Sequence, residues 1–222
     1  MESVITTITT WALPLIFAIT LHEAAHGFVA WKLGDDTAYM LGRVSFNPIR
    51  HIDPVGTLLL PAVLIFSGAP FLFGYARPVP VNFARLRHPR RDMVWVAAAG
   101  PLTNLALAVV SALGFYTLAV MPDALVGWLV LNLQNALLIN IVLAVFNMLP
   151  LPPLDGGRVA VGLLPRRMAM RLASVERYGM FILLAVLFLP GLFGARFNIL
   201  ATVIGPPVNF LYNGILNLVG LQ

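Results

Sequence analysis

Five stretches of the chain, 4–31, 93–120, 124–149, 178–195 and 197–221, are each long and apolar enough to cross a lipid bilayer, which takes about 20 mostly apolar residues. Inside hydrocarbon every backbone N–H and C=O must be satisfied within the protein, so stretches of this kind fold as helices. A sixth stretch, 55–73, is also apolar but is broken by Pro61 and by Ser67-Gly68-Ala69-Pro70. The expected fold class is an all-α polytopic membrane protein. It should have about five to six membrane-embedded helical segments, with short β-hairpin or extended elements near the cytoplasmic side. Composition agrees, since 59% of the 222 residues are hydrophobic and 10% are charged, where a soluble domain carries about a quarter charged residues. No repeat, low-complexity run or linker divides the chain, so residues 1–222 are expected to form a single domain. The N-terminus lacks a basic leader and a clear cleavage site, and the first apolar run reads as a retained segment.

The basic residues indicate orientation. Lys32, Arg43, Arg50, Arg77, Arg85, Arg87, Arg90 and Arg91 lie between the first stretch and Met93, and Arg158, Arg166, Arg167, Arg171 and Arg177 follow the third. Only Arg196 stands elsewhere. If 55–73 does not cross, both large groups share one side, which the positive-inside rule makes cytoplasmic. The expectation is therefore a re-entrant hairpin turning at Gly68-Ala69-Pro70. The arginine clusters suit lipid headgroups; no basic, aromatic-interleaved surface suggests nucleic acid. Trp11, Trp31, Trp95 and Trp128 fall near expected helix ends, where tryptophan anchors a protein to the interface.

Within the first stretch stands "LHEAAHGFVAW", residues 21–31. Ionisable side chains in a membrane helix are expensive and tend to mark function. His22 and His26 are four residues apart and share one helical face. This is the H-E-x-x-H arrangement, in which two imidazoles bind zinc and the glutamate handles a proton. With four histidines in the chain, chance placement gives the pattern about once in a thousand sequences. The competing reading is a pair of core histidines partnered by Glu23. With no cysteine present, thiolate ligands and disulfides are excluded.

A catalytic zinc site wants a third protein ligand. Asp35, Asp36, Asp92 and Asp123 read as loop or turn residues, and His51 and Asp53 in "HIDPVG" are possible. His88, in "RHPRR", reads as a solvated base. Asp155 in "NMLPLPPLDGGR" is the strongest choice. Pro150, Pro152 and Pro153 cannot continue the preceding helix, and Gly156 and Gly157 allow close backbone approach. The topology that gathers the arginines also delivers Asp155 to the level of His22 and His26.

Together these residues resemble the site-2 protease family of intramembrane zinc metalloproteases. The likeness is carried by His22-Glu23-Ala24-Ala25-His26, by "GPLTN" (100–104) and by "NMLPLPPLDGG" (147–157). It spans about residues 13–158, and no segment reads as an inserted PDZ domain, so a compact member is implied. The resemblance implies a catalytic core at about 4–158 followed by C-terminal helices at about 175–221. It implies one Zn2+ per chain on His22, His26 and Asp155, with Glu23 as catalytic acid/base. The activity implied is cleavage of peptide bonds in or near transmembrane segments of membrane-protein substrates, in a prokaryotic cell membrane with the site towards the cytoplasm. Asn104 and Asn147, amides within apolar helices, are candidates to bind the substrate backbone or the oxyanion; interhelical contact is the plainer alternative. Substrate could add as a strand to a hairpin at 37–46 or to the proline-stiffened segment 77–83. A non-proteolytic zinc-binding protein or metal transporter is the alternative, though no duplicated half supports transport.

Overall fold

The structure, a computed structural model, describes residues 4–59, 63, 76–192 and 199–221. Three helices form its centre: α1 (Val4–Lys32), α3 (Pro89–Gly114) and α4 (Asp123–Asn147). These, with α3 extended by a 3₁₀ turn over Phe115–Val120, are three helices long and apolar enough to cross a membrane. α5 (Asp155–Leu163), α6 (Arg166–Leu192) and α7 (Ile199–Leu218) follow. α6 and α7 have spanning length, 27 and 20 residues, but the first half of α6 carries Arg166, Arg167, Arg171 and Arg177. The turn expected at Gly68-Ala69-Pro70, and with it the placement of 55–73, lies outside the described residues.

α1, α3 and α4 pack against one another. The hydrophobic effect does not separate helix from lipid, so membrane helices associate through close packing, helped by small residues. α3 supplies them, burying Ala97, Ala99, Gly100, Ala108, Ser111 and Ala112. Leu137 and Ile141 of α4 fill the space against Ala108 and Ala112, and Ile204, Val208 and Ile215 of α7 close that core. Large apolar side chains such as Ile5, Phe17 and Val110 point outward, as a lipid-facing surface requires.

Local chemistry sets the helix ends. α1 stops at Gly34, whose φ of 114° is left-handed. The Asp35 N–H then reaches back to Ala30 O at 2.9 Å, a glycine-dependent helix stop. α3 starts on Pro89, where a missing N–H costs nothing. Asp92 Oδ2 accepts from the His88 N–H at 2.8 Å. Asp92 is thus a buried helix cap and not the loop residue its arginine-rich surroundings suggest. Arg87 N–H donates to Leu33 O at 3.0 Å, so the chain leaves α1 and enters α3 at one level. α3 is consequently antiparallel to α1.

No strand forms among the described residues, which corrects the hairpin expected at 37–46. Thr37–Met40 is instead a single helical turn, α2. Asp35 Oδ1 starts it by accepting from the Thr37 N–H and hydroxyl, and Gly42, at φ 63°, ends it with Arg43 N–H donating to Ala38 O at 2.8 Å. Residues 76–82 form neither helix nor strand.

Candidate metal centre

His22 and His26 project from the last third of α1, and both are buried. Asp155 reaches them from the first position of α5. The chain turns sharply through Pro150–Leu154 after α4, and the turn is tight because of its glycines. A Cβ on Gly156 would strike the backbone of Met148 and Leu149, and one on Gly179 of α6 would strike the Pro152 carbonyl. Glycine at both places lets backbone pack on backbone, which seats Asp155 beneath α1.

The three ligand atoms converge. His22 Nε2 and His26 Nε2 are 3.0 Å apart, and Asp155 Oδ2 lies 3.2 and 3.3 Å from them. Among the described residues this is the group of His, Asp and Glu that could hold a metal ion. His51 is turned elsewhere, with Nε2 2.9 Å from Ser45 O. Asp53 accepts from the Val55 and Gly56 N–H groups at the start of the turn Pro54–Leu59.

A chain of hydrogen bonds fixes the imidazoles. Asn140 Nδ2 donates to Ala136 O at 2.8 Å, which turns its oxygen to accept from Asn104 Nδ2, also at 2.8 Å. Asn104 Nδ2 additionally donates to Ala18 O at 3.3 Å. Asn104 Oδ1 therefore faces His22 Nδ1 at 2.5 Å and can only accept, so the His22 proton sits on Nδ1. His26 Nδ1 likewise donates to Val96 O at 2.7 Å. Each neutral ring thus presents an Nε2 lone pair to the centre, the arrangement seen when a metal-ligating histidine gives its other N–H to an outer partner. Asn104 has both amide hydrogens and its oxygen committed inside the protein and is fully buried. These are the interhelical contacts that stood as the plainer alternative to a substrate-binding role.

Two lone pairs and a carboxylate oxygen cannot satisfy one another, and Asp155 Oδ2 is buried without a hydrogen-bond donor. Only a proton or a metal cation placed among the three resolves this. The donor set fits zinc. Ligands about 2.0 Å from one tetrahedral zinc stand about 3.3 Å apart, close to the three separations here.

Gly100 of α3 completes the cradle, since a Cβ there would lie 2.5 Å from His22 Cε1, His22 Nε2 and His26 Nε2. Neither Gly100 nor Asn140 stands out in the sequence as a site residue, although a glycine inside a helix costs about 1 kcal/mol and is a signal of close approach. Glu23 points to the neighbouring face, its Oε2 accepting from the Val79 N–H at 2.7 Å. Asn147 lies at the end of α4, where Nδ2 donates to Leu143 O at 3.0 Å.

A membrane-type helix bundle that brings His-x-x-x-His and a distant aspartate to one buried point defines the class of an integral-membrane metalloprotein. Comparison with known proteins narrows this. Residues 124–190 match peptidase family M50. The chain is 42% identical over 182 residues to the candidate zinc metalloprotease YwhC of Bacillus subtilis, covering 78% of this chain and 77% of that one. It is 46% identical over 157 residues to the candidate zinc metalloprotease MJ0611 of Methanocaldococcus jannaschii, covering 65% and 70%. To Rip2 of Mycobacterium tuberculosis, also a candidate zinc metalloprotease, it is 30% identical over 184 residues, covering 83% and 68%. No solved structure matches. The chain belongs to peptidase family M50, the site-2 protease family.

Proposed function

We propose that the chain is an intramembrane zinc endopeptidase, with one zinc held by His22, His26 and Asp155 and with Glu23 as the acid/base. Its substrates are transmembrane segments of other membrane proteins, cut in or near the bilayer in regulated intramembrane proteolysis. The observation that carries this reading is the convergence of two tautomer-locked imidazoles on an aspartate oxygen that has no donor. Zinc, when bound, supplies a Lewis acid that acidifies water and polarises a carbonyl. The chain's own residues do the rest. Val79 N–H holds Glu23 Oε2, which leaves the second carboxylate oxygen to take a proton from the attacking water and pass it to the leaving amine. The substrate helix must unwind to be cut, and its freed amides need partners. The irregular segment 79–82, beside Glu23, offers carbonyls for this, and the Asn147 amide keeps one hydrogen for the substrate backbone.

The thirteen basic residues other than Arg196, which share one side if 55–73 does not cross, support a cytoplasmic-side site in a multi-pass prokaryotic cell-membrane protein. Glu23→Gln is the test. Membrane proteins that accumulate when this variant replaces the active protein in cells are candidate substrates, and one is purified for cleavage in liposomes. Glu23→Gln should bind zinc like the wild type and cleave nothing. Retained cleavage would remove Glu23 from the mechanism, and absence of cleavage by the wild type would remove the protease assignment.

A further inference from the structure

The conformation of Glu23 depends on a segment that has little to hold it. Residues 76–82 belong to no helix or strand, and Pro78 and Pro80 donate nothing to a ladder. Yet Val79 in this strap supplies the N–H that fixes Glu23. We propose that Arg43 is a positioning residue for Glu23, acting through the backbone of the strap at 77–79.

Arg43 Nη2 donates to Arg77 O at 2.6 Å and reaches Pro78 O at 3.5 Å. These are the two carbonyls immediately before the Val79 amide, so the guanidinium sets the peptide planes that aim that N–H. The remaining anchors lie on either side. Arg77 N–H donates to His51 O at 2.9 Å, and Asn82 N–H donates to the fully buried Asp35 Oδ2 at 2.6 Å. Gly27, next to His26 on α1, lets Val79 and Val44 close in; a Cβ there would lie 3.0 Å from both. Val44, next to Arg43, therefore docks onto the turn of α1 that carries His26.

Arg43 is 9% exposed and its Nε is buried without a partner. A guanidinium is costly to bury, and an apolar residue would pack there more cheaply if packing were its only role. Burial and the neighbouring Arg77 push its pKa down, and the Glu23 carboxylate pushes it back up. The carboxylate must be held within a fraction of an ångström of its working position, since displacement of about 1 Å can cost about a hundredfold in rate.

The test rests on the proteolytic reading and is made with the full chain in liposomes, on a substrate that the wild type cuts and Glu23→Gln does not. If that first condition fails, the protease assignment falls and not this one. Arg43→Met should retain zinc, keep KM within about twofold and lose about tenfold in kcat. Amide exchange at 77–79 should rise in the same protein. Arg43→Lys, which still donates to Arg77 O, should lose only about threefold. The proposal is overturned if Arg43→Met keeps wild-type kcat, if exchange at 77–79 is unchanged, or if kcat falls only as zinc is lost. Should Arg43→Met fail to fold, Arg43→Lys decides: a kcat reduced at unchanged KM and zinc supports the role, and wild-type kcat refutes it.

Discussion

Gly100→Ala is the smallest change that should empty the metal centre. The added methyl would stand 2.5 Å from three atoms of the two ligand rings, where ordinary contact begins at 3.4 Å. The rings or α3 must therefore move by about 0.9 Å, several times the ±0.2 Å or so within which ligand distances must hold. Neither ring can turn aside freely, because Asn104 and Val96 hold the Nδ1 atoms. Zinc affinity should fall at least about a hundredfold, or about 2.7 kcal/mol. Zinc is measured by competition with a chromophoric chelator in detergent, beside Gly127→Ala as a control. Gly127 also lies within a helix, but nothing stands within 4 Å of its Cβ position. Its replacement should leave zinc binding intact and stabilise the helix by about 0.5–1 kcal/mol. Wild-type zinc affinity in Gly100→Ala would refute the geometry of the cradle.

Two further outcomes concern what surrounds the centre. Asn104→Leu removes the acceptor that fixes the His22 tautomer and strands the Asn140 oxygen; zinc affinity should drop by about 10- to 100-fold, read by the same competition. Asp35→Ala leaves the Asn82 and Thr37 amides without their shared acceptor, and should lower stability by about 1–3 kcal/mol, read as a drop in thermal midpoint with zinc bound.

The three central apolar helices were legible because the cost of placing side chains in lipid adds along the chain and needs no knowledge of neighbours. His22 and His26 were legible because helical period alone puts them on one face. Asp155 was legible only through the topology that the arginines indicate, because its prolines and glycines alone fit an ordinary turn equally well. Gly100, Asn140 and Arg43 were not, because each acts on something distant in sequence: two rings on α1, an amide on α3, the carbonyls of 77 and 78. Residues 37–46 were misread for a different reason. Gly42 can close a hairpin or end a helical turn, and what decided was the buried Asp35 cap, a residue that reads in the sequence as a solvated turn aspartate.

The central claim is that one zinc joins the two histidines of α1 to the aspartate that opens α5. Zinc-edge X-ray absorption on the purified protein, taken beside Asp155→Ala, tests it most directly. The account requires one zinc per chain with two imidazole nitrogens and a carboxylate oxygen in the wild type, and loss of the metal or of that oxygen in Asp155→Ala. A wild-type zinc spectrum and zinc content that survive the removal of Asp155 unchanged would contradict it.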